Sequence, residues 1–97
     1  YFIQMTHKTN YLLIFKTLVY GDYESLYHRE NIVAFKRFDE QVEIYAIFNN
    51  NEESKNIKLP VEGSYIDLYT HDAINLNGDI DLKPMEFRVL KLIKEQI

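Results

Sequence analysis

Period-two alternation of apolar residues is the feature that most constrains this chain. Between Val42 and Asn49, the apolar residues Val42, Ile44, Ala46 and Phe48 alternate with the residues between them. Successive side chains of an extended strand point to opposite faces of a sheet, so this segment predicts a β-strand.

Shorter runs with turn signals between them repeat this pattern from Gly21 to the end of the chain. Regularly spaced runs of this kind indicate an all-β domain. We therefore expect an antiparallel Greek-key β-sandwich of about seven to eight strands. Pro60 and Gly63 are expected to bound one turn, and the "NLNGD" stretch predicts another at its glycine. The expected strands, beside Val42–Asn49, are Tyr23–Tyr27, Asn31–Phe38, Ser54–Leu59, Ser64–Tyr69, a run around Ile80 and Leu82, and a closing run from Phe87 to Leu92.

A different pattern precedes Gly21. No glycine or proline occurs from His7 to Thr17, and Leu12, Leu13, Phe15 and Leu18 lie near helical spacing. This predicts a short N-terminal helix, although the five apolar residues of 11–15 fit a strand equally well.

Size and charge limit the partners that the chain can have. Its 97 residues fit one domain, and its net charge of −4 leaves no basic face for nucleic acid or for an anionic membrane surface. No apolar run approaches the 18 or so residues that span a bilayer. Cysteine is absent, which leaves no thiolate chemistry. Because the chain starts at Tyr1 rather than at Met, we expect a piece of a longer protein or a processed chain.

No residue pattern predicts a metal site or a cofactor. His7, His28 and His71 lack the i+2 or i+4 partners of metal-binding motifs. The string "NLNGDID" places oxygen ligands at every second position from Asn75 to Asp81, as calcium loops do, but it lacks a bidentate Glu at the required spacing. Asn-Gly is also a strong hairpin signal, and we favour the turn.

Catalytic patterns are equally weak, and we assign no catalytic residue. The serines Ser25, Ser54 and Ser64 have no nucleophile-elbow glycines, and no glycine-rich loop could hold a phosphate. A catalytic carboxylate pair needs a cleft, which a small sandwich does not offer.

The eight tyrosines leave a binding function open. Aromatic rings stack on sugar faces, but tyrosine is also an ordinary half-buried strand residue. A stand-alone starch- or glycan-binding module is therefore the alternative function, with Tyr45, Tyr65 and Tyr69 as its candidate residues. A free-standing enzyme is a third possibility that only the 15 acidic residues support.

Four segments in a fixed order carry a family resemblance. They are "VYGDYESL", "ENIVAFKRFDEQVEIYAIFNNNEESKNIKLP", "YIDLYTHD" and "LKPMEFRVLKL". Together they resemble the C-terminal domain of α-amylase-family glycoside hydrolases, most closely the branch of neopullulanases, cyclomaltodextrinases, α-glucosidases and oligo-1,6-glucosidases. The resemblance extends from Leu18 to about Lys94.

The resemblance implies a non-catalytic Greek-key sandwich that packs on a catalytic (β/α) barrel and stabilises it. Residues 1–17 would be the remnant of the last barrel helix or a linker, and residues 18–97 the sandwich. The implied interface residues are Leu12, Phe15, Tyr20 and Tyr23, and the isolated chain would self-associate through this junction. The parent enzyme would act on α-glucans or α-glucosides, with the cytoplasm as its favoured location. Separately, the richness of the chain in Asn, Lys, Ile and Tyr suggests an AT-rich bacterial genome.

The "LVYGDYESLY" segment, residues 18–27, is predicted to be the corner between helix and sheet. Gly21 permits a tight exit from the helix, and Asp22 can accept backbone N–H groups in a turn.

Overall fold

The computed structural model of this protein describes residues 11–93, with side chains from residue 14 onward. Within residues 11–93, one helix precedes six strands, which confirms the all-β class and the short N-terminal helix. A helix start near His7 lies outside the described residues. The elements are α1 (Tyr11–Tyr20), β1 (Asp22–Arg29), β2 (Ile32–Phe38), β3 (Glu43–Asn49), β4 (Lys55–Asp67), β5 (Ala73–Leu82) and β6 (Phe87–Leu92).

The strands pair antiparallel in the order β1-β2-β3-β6-β4-β5. Strands β1 to β3 are joined in sequence, whereas β6 returns between β3 and β4. Glu30 and Asn31 connect β1 to β2 with positive φ angles of 55° and 60°. Two such residues form a type I′ turn, whose twist matches that of the paired strands.

The sheet folds over on itself to enclose one main core. Strands β2, β3 and β6 contribute one side of this core, and β4 and β5 contribute the other, so the fold has the two layers of a sandwich. The buried members are Ile32, Ala34, Tyr45, Ile47, Ile57, Leu59, Val61, Tyr65, Ile80, Leu82 and Leu90.

The described part of the chain has six strands rather than seven to eight, because the expected turn at Pro60 and Gly63 does not form. β4 runs through both residues as a single strand. The β4–β5 register shifts between Lys58 and Glu62, so the three residues 59–61 oppose Gly78 alone. Proline costs no ladder hydrogen bond inside such a bulge.

The expected turn at Asn77-Gly78 does not form either. Gly78 lies inside β5 opposite the bulge, with a φ of 97° that favours glycine. The alternating polar residues from Asn75 to Asp81 are the exposed face of that strand. Their side chains bond across to β4, in the pairs Ser64–Asn75, Lys58–Asp79 and Asn56–Asp81.

The corner between α1 and β1 is built around Gly21. Its backbone N–H donates to the Thr17 carbonyl at 2.9 Å, which closes the last helical turn. A Cβ at this position would lie 2.5 Å from the Thr17 carbonyl oxygen and 2.9 Å from that of Phe38. Glycine is therefore required by close backbone approach, which supports the interpretation of this segment as a structural corner.

A buried amide ties three loops together at the opposite end of the sheet. Asn49, with 0% exposure, donates from Nδ2 to the carbonyls of Glu53 (3.1 Å) and Lys83 (2.9 Å). Its Oδ1 accepts from Asn51 Nδ2 at 2.8 Å, and Asn51 also donates to the Glu30 carbonyl. The "FNNN" segment is thus a connector of the β1–β2, β3–β4 and β5–β6 loops.

Candidate functional site: an apolar sheet face

The side of β2, β3 and β6 that points away from the core is largely apolar, and we call it the outer face. Cross-strand pairing arranges it in three rows. Residues paired in an antiparallel ladder lie side by side on the same face. Row one is Arg37, Ile44 and Lys91; row two is Phe35, Ala46 and Val89; row three is Val33, Phe48 and Phe87.

Helix α1 covers the outer face at row one, and the cluster that it forms there reaches Val89 of row two. Ile14 is buried against Val42 and Ile44, with Leu68 and Val89 packed around them. Thr17 Oγ1 donates to Asp39 Oδ2 at 2.8 Å, and this bond fixes the helix to the β2–β3 turn. Rows two and three have no comparable cover among residues 14–93.

Asp39 is held as a carboxylate at this junction. Its Oδ1 accepts the backbone N–H groups of Gln41 (2.8 Å) and Val42 (3.0 Å). The Gln41 N–H, with smaller contributions from Thr17 and Val42, lowers the pKa of Asp39 below its ordinary value of 3.8. The charged form of Asp39 therefore anchors both the turn and the helix.

The uncovered rows surround a shallow hollow of about 470 Å³. Its lining residues are Val33, Phe35, Ala46, Phe48 and Phe87. The small Ala46 forms the floor between larger neighbours. None of these side chains carries a hydrogen-bonding group, so the hollow can hold apolar side chains but cannot recognise hydroxyl groups.

Phe48, Phe87 and Tyr69 pack against one another at steep angles on this face. Phe48 and Phe87 meet edge to face, with centroids 6.0 Å apart at 89°, and Tyr69 meets Phe87 at 6.2 Å and 63°. Tyr23 lies beside Phe35, 5.3 Å away and tilted by 31°. A glycan platform needs exposed rings that share a plane, whereas edge-to-face rings are typical of protein packing.

The structure separates the three tyrosines named as sugar-binding candidates. Tyr45 and Tyr65 are only 6% and 1% exposed, and their rings meet at 85° inside the core. Tyr45 Oη donates to Glu43 Oε1 at 3.0 Å. Burial raises the pKa of both phenols. Neither ring presents a face to a sugar, and only Tyr69, at 63%, is exposed.

The residues named for the domain interface lie at the surface where the structure describes them. Phe15, Tyr20 and Tyr23 are exposed by 64%, 79% and 57%. The Leu12 side chain lies outside the described residues. Sequence reasoning did not single out Phe48 and Phe87 as surface residues, although apolar residues on both faces of β2 were a signal for a second apolar face.

Metal-ligand clusters and membrane helices are not found in the described part of the chain. Over the described residues, no three His, Asp or Glu side chains gather as metal ligands do. Among the same residues, no helix is both long and apolar enough to cross a bilayer.

The described residues thus form a small antiparallel sandwich with one helix and an apolar outer face. Residues 24–91 match the family described as the α-amylase C-terminal all-β domain. The chain therefore belongs to that family, whose members are non-catalytic all-β domains of α-amylase-family glycoside hydrolases.

Solved structures share this fold over most of the chain. An α-amylase from Geobacillus thermoleovorans, complexed with acarbose, has a TM-score of 0.72 at 21% identity over 97% of this chain and 23% of its own. An Anoxybacillus α-amylase gives 0.69 at 24% identity over 82% and 19%. A putative α-N-acetylgalactosaminidase from Bacillus halodurans gives 0.62 at 19% identity over 75% and 21%.

The chain thus spans about a fifth of the solved chains that it resembles. Among curated protein sequences, no significant match is found. These structures include enzymes named for different substrates, so the fold alone does not determine a substrate.

Proposed function

We propose that this domain packs through its outer face on the catalytic (β/α) barrel of an α-amylase-family glycoside hydrolase and stabilises that barrel. The observation that carries the proposal is the uncovered hollow of rows two and three, lined only by apolar side chains. An apolar patch of this kind on a small domain marks a protein interface. The domain covers only about a fifth of each solved amylase chain. This supports a catalytic neighbour in the same polypeptide.

In this proposal the helix belongs to the junction. Residues 1–17 form the end of the last barrel helix or a linker, and residues 18–97 form the sandwich. Phe15, Tyr20 and Tyr23 are exposed, and Tyr23 lies beside Phe35 of the outer face. Without its barrel, the chain would associate with further copies through the same surface.

The parent enzyme in this proposal hydrolyses α-glucans or α-glucosides, within the neopullulanase and oligo-1,6-glucosidase branch. The family assignment of the domain supports a glycoside hydrolase parent. Catalysis would lie on the barrel, so the 97-residue chain should not turn over p-nitrophenyl α-glucoside, while the full-length polypeptide should. Turnover by the isolated chain would overturn this assignment.

Glycan binding by this domain alone is less well supported. Two of its three candidate tyrosines are buried, and the third, Tyr69, meets Phe87 edge to face. Affinity electrophoresis of the chain in glycogen tests it, and we expect no retardation.

Substitution of Phe87 by lysine tests the docking face. The ring is 46% exposed in this domain, so the change should cost the isolated chain about 1 kcal/mol of the 1.5–3 kcal/mol that full burial of a phenylalanine gives. In the full-length polypeptide the same lysine would be buried in the interface without a partner. The loss of stability there should be larger by on the order of several kcal/mol. Thermal unfolding of both forms measures the difference.

Ser54→Lys is the matched control, because Ser54 is exposed in the loop just before β4 and gains the same charge. It should leave both proteins close to wild type. Equal effects of Phe87→Lys on the isolated chain and on the full-length polypeptide would refute docking through this face. A coding region with a start codon directly before Tyr1, and no barrel, would refute the parent enzyme itself.

A further inference from the structure

An Asn-Gly pair lies inside β5, which is an edge strand of the described sheet. Of the asparagines in the sequence, only Asn77 is followed by glycine. The Asn77 side chain is exposed, and Gly78 has a φ of 97°. The pair is therefore open to solvent in a part of the strand whose backbone is irregular.

The β4–β5 ladder is interrupted at this pair. Asn77 pairs with Glu62 and Asp79 pairs with Lys58, while residues 59–61 oppose Gly78 alone. A bulge disrupts the ladder and bends the strand, and a glycine inside a strand weakens it further. Edge segments with few continuous backbone bonds open at the lowest free energy. The backbone of the pair can therefore rearrange at a smaller cost than the regular parts of β5.

The Asn77 side chain folds back along its own chain. Its Oδ1 accepts the backbone N–H of Asp79 at 3.3 Å, which turns the amide toward the peptide bond that joins Asn77 to Gly78. The same hydrogen bond draws electron density from the amide carbon, Cγ. Because Gly78 has no Cβ, no side chain shields its nitrogen from that carbon. An electrophilic carbon and a backbone nitrogen are thus brought toward each other.

We propose that Asn77 deamidates in the folded domain, and that the carboxylate formed beside Glu62 weakens the pairing of β5 with β4. The Gly78 nitrogen gives its proton to water or hydroxide and attacks Asn77 Cγ. The NH₂ group takes up a proton and leaves as ammonia, which closes a cyclic succinimide. Water then opens the ring at either carbonyl and leaves aspartate or isoaspartate at this position. Nothing is oxidised or reduced, and water is the only co-reactant.

Both products place a negative charge opposite Glu62. Directly paired residues of an antiparallel ladder lie side by side on the same face, and like charges there are destabilising. Asp79 is a further carboxylate on this face, and its ion pair with Lys58 offsets only part of the added charge. Isoaspartate also inserts an extra methylene into the backbone of β5. Deamidation is therefore expected to loosen the edge strand.

Asn75 provides an internal control on the same strand and face. It is exposed as Asn77 is, but Leu76 follows it, so a side chain hinders attack by the next backbone nitrogen. Its Oδ1 accepts from Ser64 Oγ at 2.7 Å, which holds the amide across the ladder rather than along its own chain. A difference between Asn75 and Asn77 therefore reports the local geometry and not exposure alone.

Peptide mapping by mass spectrometry, after incubation of the full-length polypeptide in heavy-oxygen water at mildly alkaline pH, tests the site. Opening of the succinimide takes one oxygen from the solvent, so the label marks events during the incubation. We expect Asn77 to be converted several-fold faster than Asn75. In Asn77→Gln the position should stay unlabelled, because the longer side chain closes a ring far more slowly. Equal rates at the two asparagines, no label at Asn77, or conversion only in urea would overturn the site.

Hydrogen exchange of the β5 amides in the full-length polypeptide tests the consequence. Asn77→Asp carries the product's charge on an ordinary backbone and should exchange several-fold faster than wild type. Glu62→Gln in the same chain should restore most of the protection, and added salt should act in the same direction, since exposed charges are screened. Equal exchange in Asn77→Asp and wild type, or no recovery with Glu62→Gln, would overturn the weakening of β5 by charge.

Discussion

The buried amide of Asn49 allows a quantitative prediction. Asn49→Ala removes two donated hydrogen bonds and one accepted bond. At about 1 kcal/mol net for each bond, the loss is about 3 kcal/mol. A domain of this size has a stability of about 5–15 kcal/mol, so the variant loses a large fraction of it. The expected fall in Tm is about 12–24 °C, at 4–8 °C for each kcal/mol.

Asn50→Ala is the matched control, because the Asn50 side chain is exposed and the residue bonds to Asn31 only through its backbone N–H. Urea unfolding, followed by circular dichroism, gives the free energy of unfolding of both variants. Asn50→Ala should lie within about 0.5 kcal/mol of wild type. If Asn49→Ala also lies in that range, the three-loop connection does not stabilise the domain and the reasoning fails.

Three further predictions concern the corner, the turn and the core. Gly21→Ala should lower stability by about 1–3 kcal/mol, because its Cβ meets two backbone carbonyls; an unchanged urea midpoint would contradict this. The lowered pKa of Asp39 gives stability that is present above pH 3.8 and is lost as pH falls through the folded-state pKa. The stability difference between wild type and Asp39→Asn should therefore shrink on acidification, and a constant difference would refute it. Burial should make Tyr45 and Tyr65 ionise at higher pH than exposed phenols in an absorbance titration, and the double Phe variant should remove that late phase; a single early phase in wild type would contradict it.

Local patterns in the sequence were sufficient to predict the strands that pair with the next strand along the chain. The alternation from Val42 to Asn49 corresponds closely to β3. The same local reasoning failed at Pro60 and Gly63, since a bulge absorbs the proline and β4 continues. Whether a proline ends a strand depends on the register of its partner, which no window of sequence contains.

The docking face could be predicted only in part. Exposed aromatic residues near the helix–sheet corner were expected, and Phe15 and Tyr23 are exposed there. Phe87 joined them only because β6 returns beside β3 and places it against Phe48. That pairing joins segments almost 40 positions apart, so periodicity alone could not tell the core face of each strand from the outer one.

Oxidative footprinting is the most direct test of the claim that the outer face docks on a catalytic barrel. Hydroxyl radicals modify exposed aromatic rings, and mass spectrometry compares the oxidation rates of Phe87 and Phe48 in the 97-residue chain and in the full-length polypeptide. The account expects both rings to be protected several-fold in the full-length polypeptide, while half-buried Tyr27, which packs against the main core instead, keeps its rate. Equal rates for the two rings in both proteins would show that the face stays open and would contradict the account.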